Sequence, residues 1–304
     1  MATYLVTGGA GFIGSHIVEA LRERNEIVRV LDNFSTGKHS NLEPVADAEV
    51  IEGDVRDAAT VEQAVAGVDY VIHLAALVSV PQSMSDPAST HAINVTGTLN
   101  VLAAARAHKV KRVVLASSCA VYGDNDDLPL QETALPKPLS PYAASKLISE
   151  IYCQTFHRIF GLPTVCLRYF NIYGPRQDPR GAYAAAIPKF VQRMAERQPP
   201  VVFGDGTQTR DFVHVSDVVR ANLLVCELEA AVGEVFNIAS GREVSLLTLV
   251  AELNALHRTS IAPVFQSPRP GDIKHSCGDG GKAARLLQFA PATPLRDGLA
   301  TVAS

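Results

Sequence analysis

Thr3-Tyr4-Leu5-Val6-Thr7-Gly8-Gly9-Ala10-Gly11-Phe12-Ile13-Gly14 runs from a short apolar strand straight into a glycine-rich turn. Residues 15–24 follow with helical periodicity, with Ile17, Val18 and Leu21 on one side. Each glycine has a task in such a turn. Gly8 lets the chain bend sharply, Gly11 lets the backbone approach a pyrophosphate at the positive end of the helix, and Gly14 lets that helix pack close to the sheet. Glycines in a loop indicate only a turn unless a strand precedes them, a helix follows, and a second strand ends in an acid. Ile27-Val28-Arg29-Val30-Leu31 is that second strand and Asp32 ends it. The Asp32 carboxylate can accept both hydroxyls of an adenosine ribose and would repel a 2′-phosphate. No arginine follows at once to receive such a phosphate, so NAD is expected rather than NADP.

Outward from this unit, strand and helix patterns keep alternating. Strand patterns cover 49–54 and 68–76, a helix is expected over 94–108, and a strand over 112–116 leads into Ser117 and Ser118. A helix from Tyr142 to about Phe160 precedes a strand over 164–167 that enters Arg168-Tyr169-Phe170-Asn171-Ile172-Tyr173-Gly174-Pro175. Such alternation predicts an α/β fold, a Rossmann-type doubly wound parallel sheet covered on both faces. Ligands of such sheets sit beyond the C-terminal strand ends, where Asp54, Ala75, Ser118 and Tyr169 fall. Proline, glycine and arginine interrupt the pattern through 175–211 and again from 267 onward, while 213–229 and 235–238 return to helix and strand. The expected organisation is therefore discontinuous: a cofactor domain of 1–173 plus 212–240, and a smaller, largely C-terminal substrate-binding lobe of 174–211 plus 241–304.

Composition removes several classes of function. The 304 residues are 47% apolar and 19% charged, as in an ordinary soluble globule with a substantial core. A net charge of −4 and a pI near 6.1 give no sign of a nucleic-acid or anionic-membrane partner. No apolar run approaches the length of a bilayer span, and no signal peptide is expected ahead of a strand that begins almost at Met1. The five cysteines at 119, 153, 166, 226 and 277 form no Cys-x-x-Cys and read as free thiols in a reducing cytoplasm. No cluster has convincing metal-ligand spacing, so no metal is expected.

The chemistry is carried by Ser140-Pro141-Tyr142-Ala143-Ala144-Ser145-Lys146. Residues four apart lie on one helix face, so the Tyr142 phenol and the Lys146 ammonium form a proton-transfer pair. Tyrosine ionises near pH 10, and a fixed cation beside it favours the phenolate. Lowering that value to about 7 needs roughly 4 kcal/mol of preferential stabilisation, within reach of a lysine plus a cofactor cation.

The glycine turn at residues 7–14, Asp32, Asp54, His73-Leu74-Ala75-Ala76, Ser117-Ser118, Tyr142 with Lys146, and Arg168-Tyr169-Phe170-Asn171 together resemble the extended short-chain dehydrogenase/reductases. The resemblance covers essentially the whole chain. It lies with the NAD-dependent nucleotide-sugar epimerases and dehydratases. Ser79-Val80-Pro81-Gln82-Ser83, Arg176-Gln177-Asp178-Pro179, Gly181-Ala182-Tyr183-Ala184-Ala185-Ala186-Ile187-Pro188-Lys189 and Gly271-Asp272-Ile273-Lys274-His275-Ser276 are similar to the UDP-glucose and UDP-N-acetylglucosamine 4-epimerases.

That resemblance implies inversion of C4 in a UDP-hexose through a transient 4-keto sugar. Tyr142 would take the 4-hydroxyl proton, Ser118 would hold that oxygen, and Lys146 would keep Tyr142 acidic and bind the nicotinamide ribose. It further implies NAD contacts from Gly8, Gly11, Phe12, Ile13, Gly14, Asp32, Asn33, Asp54, Val55, Leu74, Ala75, Ala76, Asn94 and Tyr169. Substrate contacts would come from Ser79, Ser83, Asn171, Ala186, Ile187, Lys189, Val202, Phe203, Arg210, Arg269, Asp272 and Ser276. Arg210 and Arg269 would grip the diphosphate and Val202-Phe203 would line the uracil pocket, unless they are surface ion pairs and core packing respectively. Ser276 stands where the resembled epimerases gate the sugar C2 group: tyrosine restricts the pocket to glucose and galactose, whereas a small residue leaves room for an N-acetyl group. A homodimer formed by two helices per subunit is also implied, with 94–108 and 142–160 as candidates.

Fold does not settle chemistry, so the neighbours of Ser118 matter. The family's dehydratases carry an Asp-Glu pair directly after the active hydroxyl residue, and its decarboxylases a glutamate at the second position. This chain has Cys119 and Ala120, which leaves simple epimerisation. A UDP-glucuronate 4-epimerase, a sugar reductase or dehydratase, and a non-catalytic NAD-binding sensor stay as rival readings. The remaining polar groups read more plainly. His73 is expected as a packed, hydrogen-bonded histidine, Asp124, Asp126 and Asp127 as a solvated loop, and His214 with Asp217 as helix capping.

Overall fold

The computed structural model describes residues 1–179, 185–268 and 273–303. In chain order the elements are β1 (Thr3–Thr7), α1 (Phe12–Glu23), β2 (Ile27–Asp32), β3 (Glu49–Glu52), α2 (Ala58–Val65), β4 (Tyr70–His73), α3 (Val80–Ser85), α4 (Pro87–His91) and α5 (Gly97–Ala107). Next come β5 (Arg112–Ser118), α6 (Pro141–Phe160), β6 (Thr164–Tyr169), β7 (Asn171–Tyr173), α7 (Ala186–Ala195), β8 (Val201–Phe203), β9 (Thr209–Arg210) and β10 (Phe212–His214). The chain ends with α8 (Val215–Glu227), β11 (Val235–Ile238), β12 (Val244–Ser245), α9 (Leu246–His257), β13 (Val264–Gln266), α10 (Gly281–Leu287) and α11 (Leu295–Ala303).

Seven strands form one parallel sheet in the order β11-β6-β5-β4-β1-β2-β3. The direction of winding reverses between β1 and β4, which opens a crevice at their C-terminal ends. Tyr4, Leu5 and Val6 are all buried, as expected of a central strand covered on both sides. On one face α1 and α8 contribute Ile17, Val18, Leu21, Val218 and Leu223 to a single apolar cluster. On the other face α2, α5 and α6 contribute Val61, Val101, Leu102, Cys153 and Phe156.

A third cluster joins Tyr173, Ile187, Phe190, Met194, Val202, Leu249, Leu253 and Leu299, and so gathers α7, β8, α9 and α11. Helix α10, which the sequence places in the C-terminal lobe, packs instead on β11. Its Ala283 and Leu287, with Phe289, belong to the cluster under the main sheet.

Local chemistry explains the two helices that matter most. Helix α1 starts at Phe12, three residues earlier than its periodicity suggests, because Gly11 already serves as the extended N-cap residue. Helix α6 starts where Ser140 Oγ accepts from Ala143 N at 3.1 Å, with Pro141 preset in the first turn, and it stops at Gly161 in the left-handed region (φ 69°). A π-turn, Ala92–Thr96, precedes α5 and brings Asn94 inward.

Candidate active site

Crowding around the first turn shows what the glycines are for. A Cβ on Gly14 would lie 2.2 Å from Gly8 O, and one on Gly8 would lie 2.8 Å from Ala75 N at a φ of +69°. The turn after β1 and the chain after β4 therefore touch, with Leu74, Ala75 and Ala76 along the rim. Helix α1 has no side-chain cap and no acid in its first turn, so Gly11, Phe12, Ile13 and Gly14 present a positive backbone end to an anion.

Asp32 is 7% exposed at the end of β2. Its Oδ2 accepts from Ala10 N at 2.9 Å and its Oδ1 from Phe34 N at 2.8 Å, leaving each oxygen one lone pair for a ribose hydroxyl. A Cβ on Gly37 would sit 2.9 Å from Asp32 Oδ1, so only glycine leaves the carboxylate open on that side. These residues fit a dinucleotide.

Several residues expected on the cofactor are instead committed to the protein. Asp54 Oδ1 accepts from Arg56 N and Nε, both at 2.9 Å; its Oδ2 accepts from Arg56 Nη2 and Asn33 Nδ2, both at 2.8 Å. The Arg56 guanidinium holds the Asp54 carboxyl well below the usual carboxylate range, and both Asp54 oxygens are taken twice over. The Val55 side chain is buried against Gly97.

Asn94 Oδ1 accepts from Leu77 N at 2.7 Å, and its amide donates to Leu77 O at 3.0 Å and Ser145 Oγ at 2.9 Å. Both donors are thereby used, and Asn94 ties the loop after β4 to α6 rather than offering a ligand contact. The Tyr169 hydroxyl donates to Asn222 Oδ1 at 2.9 Å inside the core. Apart from Arg56, two residues after Asp54, these partners are remote in sequence, so a local motif could not reveal them.

The reactive groups gather at the end of β5. The Ser118 hydroxyl, half-buried at the strand end, lies beside the Tyr142 phenol and accepts from Ala120 N at 3.1 Å. Burial pushes the phenol up to about 12, and the neighbouring Ser118 hydroxyl only partly offsets this. The Lys146 ammonium lies 2.7 Å from Ala116 O and is 5% exposed; burial pushes it down to about 8.

The spacing does put both groups on one helix face, yet Lys146 reaches under β5 to a carbonyl and exerts no resolved pull on Tyr142. In the protein by itself the phenol is neutral at pH 7; the expected lowering joins Lys146 to a cofactor cation. Cys119, the next residue, is likewise pushed up to about 12 by burial, and its thiol lies against the Ser276 hydroxyl.

A polar chain supports this corner. Thr98 Oγ1 donates to Asn94 O at 2.5 Å, so it must accept from His73 Nε2 at 3.1 Å. His73 Nδ1 then accepts from Thr7 Oγ1 at 2.7 Å, and Thr7 Oγ1 accepts from Ala75 N at 3.2 Å. Burial pushes His73 down to about 3, so it is the packed neutral histidine the sequence suggests. Glu150 and Arg168 form a buried bidentate pair at 2.9 and 2.7 Å, and Ser117 donates to the same carboxylate.

The substrate side mixes open and occupied residues. Ser83 is fully buried; its hydroxyl donates to Val80 O at 2.6 Å and accepts from Tyr142 N at 3.1 Å, which makes it a support for the base rather than a sugar contact. Ser79 caps α3 by accepting from Gln82 N at 3.2 Å. Val202 and Ile187 are core residues of the third cluster, whereas Phe203 faces a hollow that it shares with Phe265, Gln266 and Ser267. Ala186 and Lys189 stand half-buried in the first turn of α7.

Asn171 and Arg210 are half-buried around Asp211: the Asn171 amide donates to Asp211 O at 3.2 Å, and Arg210 Nη1 donates to Thr209 O at 2.8 Å. Ser276 is buried beside Cys119 and Asp211 is wholly buried. Arg269 and Asp272 lie outside the described residues. His214 Nδ1 accepts from Ser216 N as an N-cap, and Asp217 accepts from Ala292 N and Thr293 N at 2.8 and 3.0 Å. Among the described residues no three His, Cys, Asp or Glu side chains converge on a metal position, and no helix is long and apolar enough to cross a membrane. Asp211 and the Thr7–His73–Thr98 chain escape sequence reading, because each is defined by partners at least 25 residues away.

Known proteins share this arrangement. The UDP-glucose 4-epimerase of Mycolicibacterium smegmatis is 36% identical over 301 residues, covering 97% of this chain and 96% of its own. The UDP-N-acetylglucosamine 4-epimerase of Methanobrevibacter ruminantium M1, solved with UDP-N-acetylmuramic acid, superposes with a TM-score of 0.95 at 40% identity, covering 99% of this chain and 97% of that one. The UDP-glucose 4-epimerase of Thermotoga maritima, solved with UDP-glucose, gives a TM-score of 0.94 at 40% identity with the same coverages. Residues 4–239 match the NAD dependent epimerase/dehydratase family, and with a glycine cradle and Asp32 shaped for that dinucleotide, the chain belongs to that family and uses NAD.

Proposed function

We propose that this protein is a UDP-sugar 4-epimerase that inverts C4 of UDP-hexoses, plain and N-acetylated. The observation that carries the reading is the Ser118 hydroxyl set beside the Tyr142 phenol at the end of β5, flanked by Cys119 and Ala120. Two hydroxyls suffice to move one proton at a sugar oxygen. Eliminating water or carbon dioxide needs an acid at the flanking positions, and a thiol held near 12 with a methyl group supplies none.

In this reading Tyr142 accepts the 4-hydroxyl proton and later returns it, while Ser118 holds the oxygen. NAD, when bound, supplies the hydride acceptor and donor for C4 together with a positive charge. That charge has a definite use, since burial alone leaves Tyr142 too weak an acid to work at pH 7. Lys146, anchored on Ala116 O, is the protein's own cation under the site. Gly8 to Gly14 and Asp32 hold the pyrophosphate and the ribose. Asn171, Lys189 and Arg210 serve the sugar diphosphate, Arg269 is assigned to it from the sequence alone, and Phe203 with Phe265 takes the uracil. Helix α7 and strand β8, which carry Lys189 and Phe203, pack in the third apolar cluster, and α10 is left to the sheet. Proton NMR of the purified protein with UDP-glucose, UDP-GlcNAc, UDP-glucuronate and dTDP-glucose tests the proposal: C4 inversion of the first two supports it, and products altered at C6, or none, refute it.

Ser276 sets the sugar range. Its small side chain is buried against Cys119, where a tyrosine would need far more room. Ser276→Tyr is expected to cut kcat/KM for UDP-GlcNAc about a hundredfold while UDP-glucose changes only a few-fold. Equal effects on both sugars, measured side by side, would end the gate argument.

The surface of α5 and α6 also fits a second copy of the chain. Ile151, Ile159 and Phe160 on α6 are 53, 68 and 42% exposed, and Arg106 of α5 stacks on Phe160 at 3.9 Å. Sedimentation should give twice the 32.5 kDa chain mass for the native protein and a monomer for Ile159→Glu. A native monomer at micromolar concentration contradicts this. The five cysteines are unpaired, which suits a reducing cytoplasm.

A further inference from the structure

We propose that Asp211 is the positioning residue of the substrate side: it touches no ligand, and its carboxylate and main-chain carbonyl hold the segments that do. The proposal rests on the epimerase reading for its ligand, a uridine diphosphate sugar. Asp211 is 0% exposed, between β9 and β10. Its Oδ1 accepts from Ser240 N at 2.8 Å and Ser240 Oγ at 2.6 Å. Its Oδ2 accepts from Gly241 N at 3.0 Å and Gly278 N at 3.1 Å. Four donors thus converge on two oxygens, and the side chain has no capacity left for a ligand.

Each bond holds a part of the site. Gly278 follows Ser276 by two residues, and the same stretch is tied on its other side by Leu130, which donates to Cys277 O and accepts from Asp279 N, both at 2.8 Å. The two anchors leave Ser276 one place to stand, against Cys119 beside Ser118. Gly278 has no slack there, since a Cβ would meet Ala239 Cβ at 2.5 Å and the Phe170 ring at 2.6 Å. The Asp211 carbonyl accepts from Asn171 N at 3.0 Å and from the Asn171 side-chain amide at 3.2 Å, so it aims that residue as well. Arg210 is the preceding residue, and its backbone pairs with Val244, four residues beyond Ser240. The Ser276 stretch is thus tied to the Asp211 carboxylate through Gly278, Asn171 to the Asp211 main-chain carbonyl, and Arg210 by direct chain continuity.

An amide cannot replace it. Asparagine would present a donor to one pair of N–H or O–H groups, and either the Ser240 or the Gly241/Gly278 anchor would be lost. The test uses the full-length, NAD-loaded Asp211→Asn variant, with calorimetric UDP binding, kcat and KM for UDP-glucose and UDP-GlcNAc, bound NAD and melting temperature. The expected result is about a tenfold loss of UDP affinity and a matching rise in KM, with kcat within about threefold and NAD content retained. The preference between the two sugars should also shift.

Asp217→Asn, a buried carboxylate holding Ala292 and Thr293 away from the site, should lower the melting temperature without moving UDP affinity. Unchanged UDP affinity in Asp211→Asn, or a parallel fall of kcat, affinity and NAD content as in a general loss of folded protein, would overturn the proposal. Should that variant not fold, Ser240→Ala removes the 2.6 Å bond to Asp211 together with the long 3.3 Å bond from Arg242 N; it should weaken UDP about two- to threefold, and an unchanged value would overturn the proposal too. UDP binding needs no turnover, so native protein that binds UDP and inverts no sugar refutes the epimerase reading alone. Native protein without affinity for UDP refutes both.

Discussion

Tyr142→Phe is expected to lower kcat for C4 inversion by about a thousandfold, with UDP-sugar KM changed only a few-fold and NAD content unchanged. Phenylalanine keeps the ring and its packing at the start of α6, so the variant loses one oxygen beside Ser118. No neighbouring group can take over. Cys119 is held near 12, His73 is neutral, wholly buried and bonded at both nitrogens, and Ser118 is too weak a base alone. Stability should scarcely change, since Ser118 still receives Ala120 N. Steady-state kinetics with a coupled or NMR readout would decide: near-native turnover would mean that some other group removes the 4-hydroxyl proton.

Lys146→Met is expected to separate activity from stability. Turnover should fall about a hundredfold, because the cation under the site is lost. The folded state should nevertheless gain stability at pH 7. The ammonium is 5% exposed, and its fall from 10.5 to about 8 corresponds to roughly 3 kcal/mol of unfavourable burial. The sign follows from proton counts. Between about pH 8 and 10.5 the unfolded chain binds a proton at this lysine that the folded chain does not, so native stability rises with pH through that window. Below about 8 both states carry the proton and the penalty is constant. The methionine variant should therefore melt higher than the native protein at pH 7, with a gap that narrows from pH 8 upward. Denaturant or thermal melts across that range would show it; a variant that melts lower at pH 7 would mean the Ala116 bond outweighs the burial cost.

The parts of this molecule legible from its sequence are those whose causes are local. The glycine turn, Asp32 at a strand end and the Ser140-Pro141 start of α6 depend on neighbours within a few residues, and the sheet and helices form around them as expected. The parts that were not legible depend on where a side chain's hydrogen bonds go. Ser83, Asn94, Asp54 and Tyr169 have residue types suited to ligands, yet their polar groups are consumed by Tyr142 N, Leu77 and Ser145, Arg56, and Asn222.

Spacing says only part of what matters at Lys146. Four residues fix a shared helix face but not the reach of a flexible chain, which turns to Ala116 O. Val202 shows the same limit in a strand, where alternation sends it into the core and leaves Phe203 outside. Asp211 had no local signal, because its four donors lie 29 to 67 residues away.

The central claim is that a hydride leaves C4 and returns to the opposite face of the same carbon while Tyr142 handles the hydroxyl proton. UDP-glucose and UDP-GlcNAc labelled with deuterium at C4, taken to equilibrium with the NAD-loaded protein and read by NMR, test it most directly. The expected product is the C4 epimer with its deuterium still on C4, no label in the water and no net change in NAD absorbance. Deuterium lost to solvent, or label found in a product altered elsewhere on the ring, would contradict it.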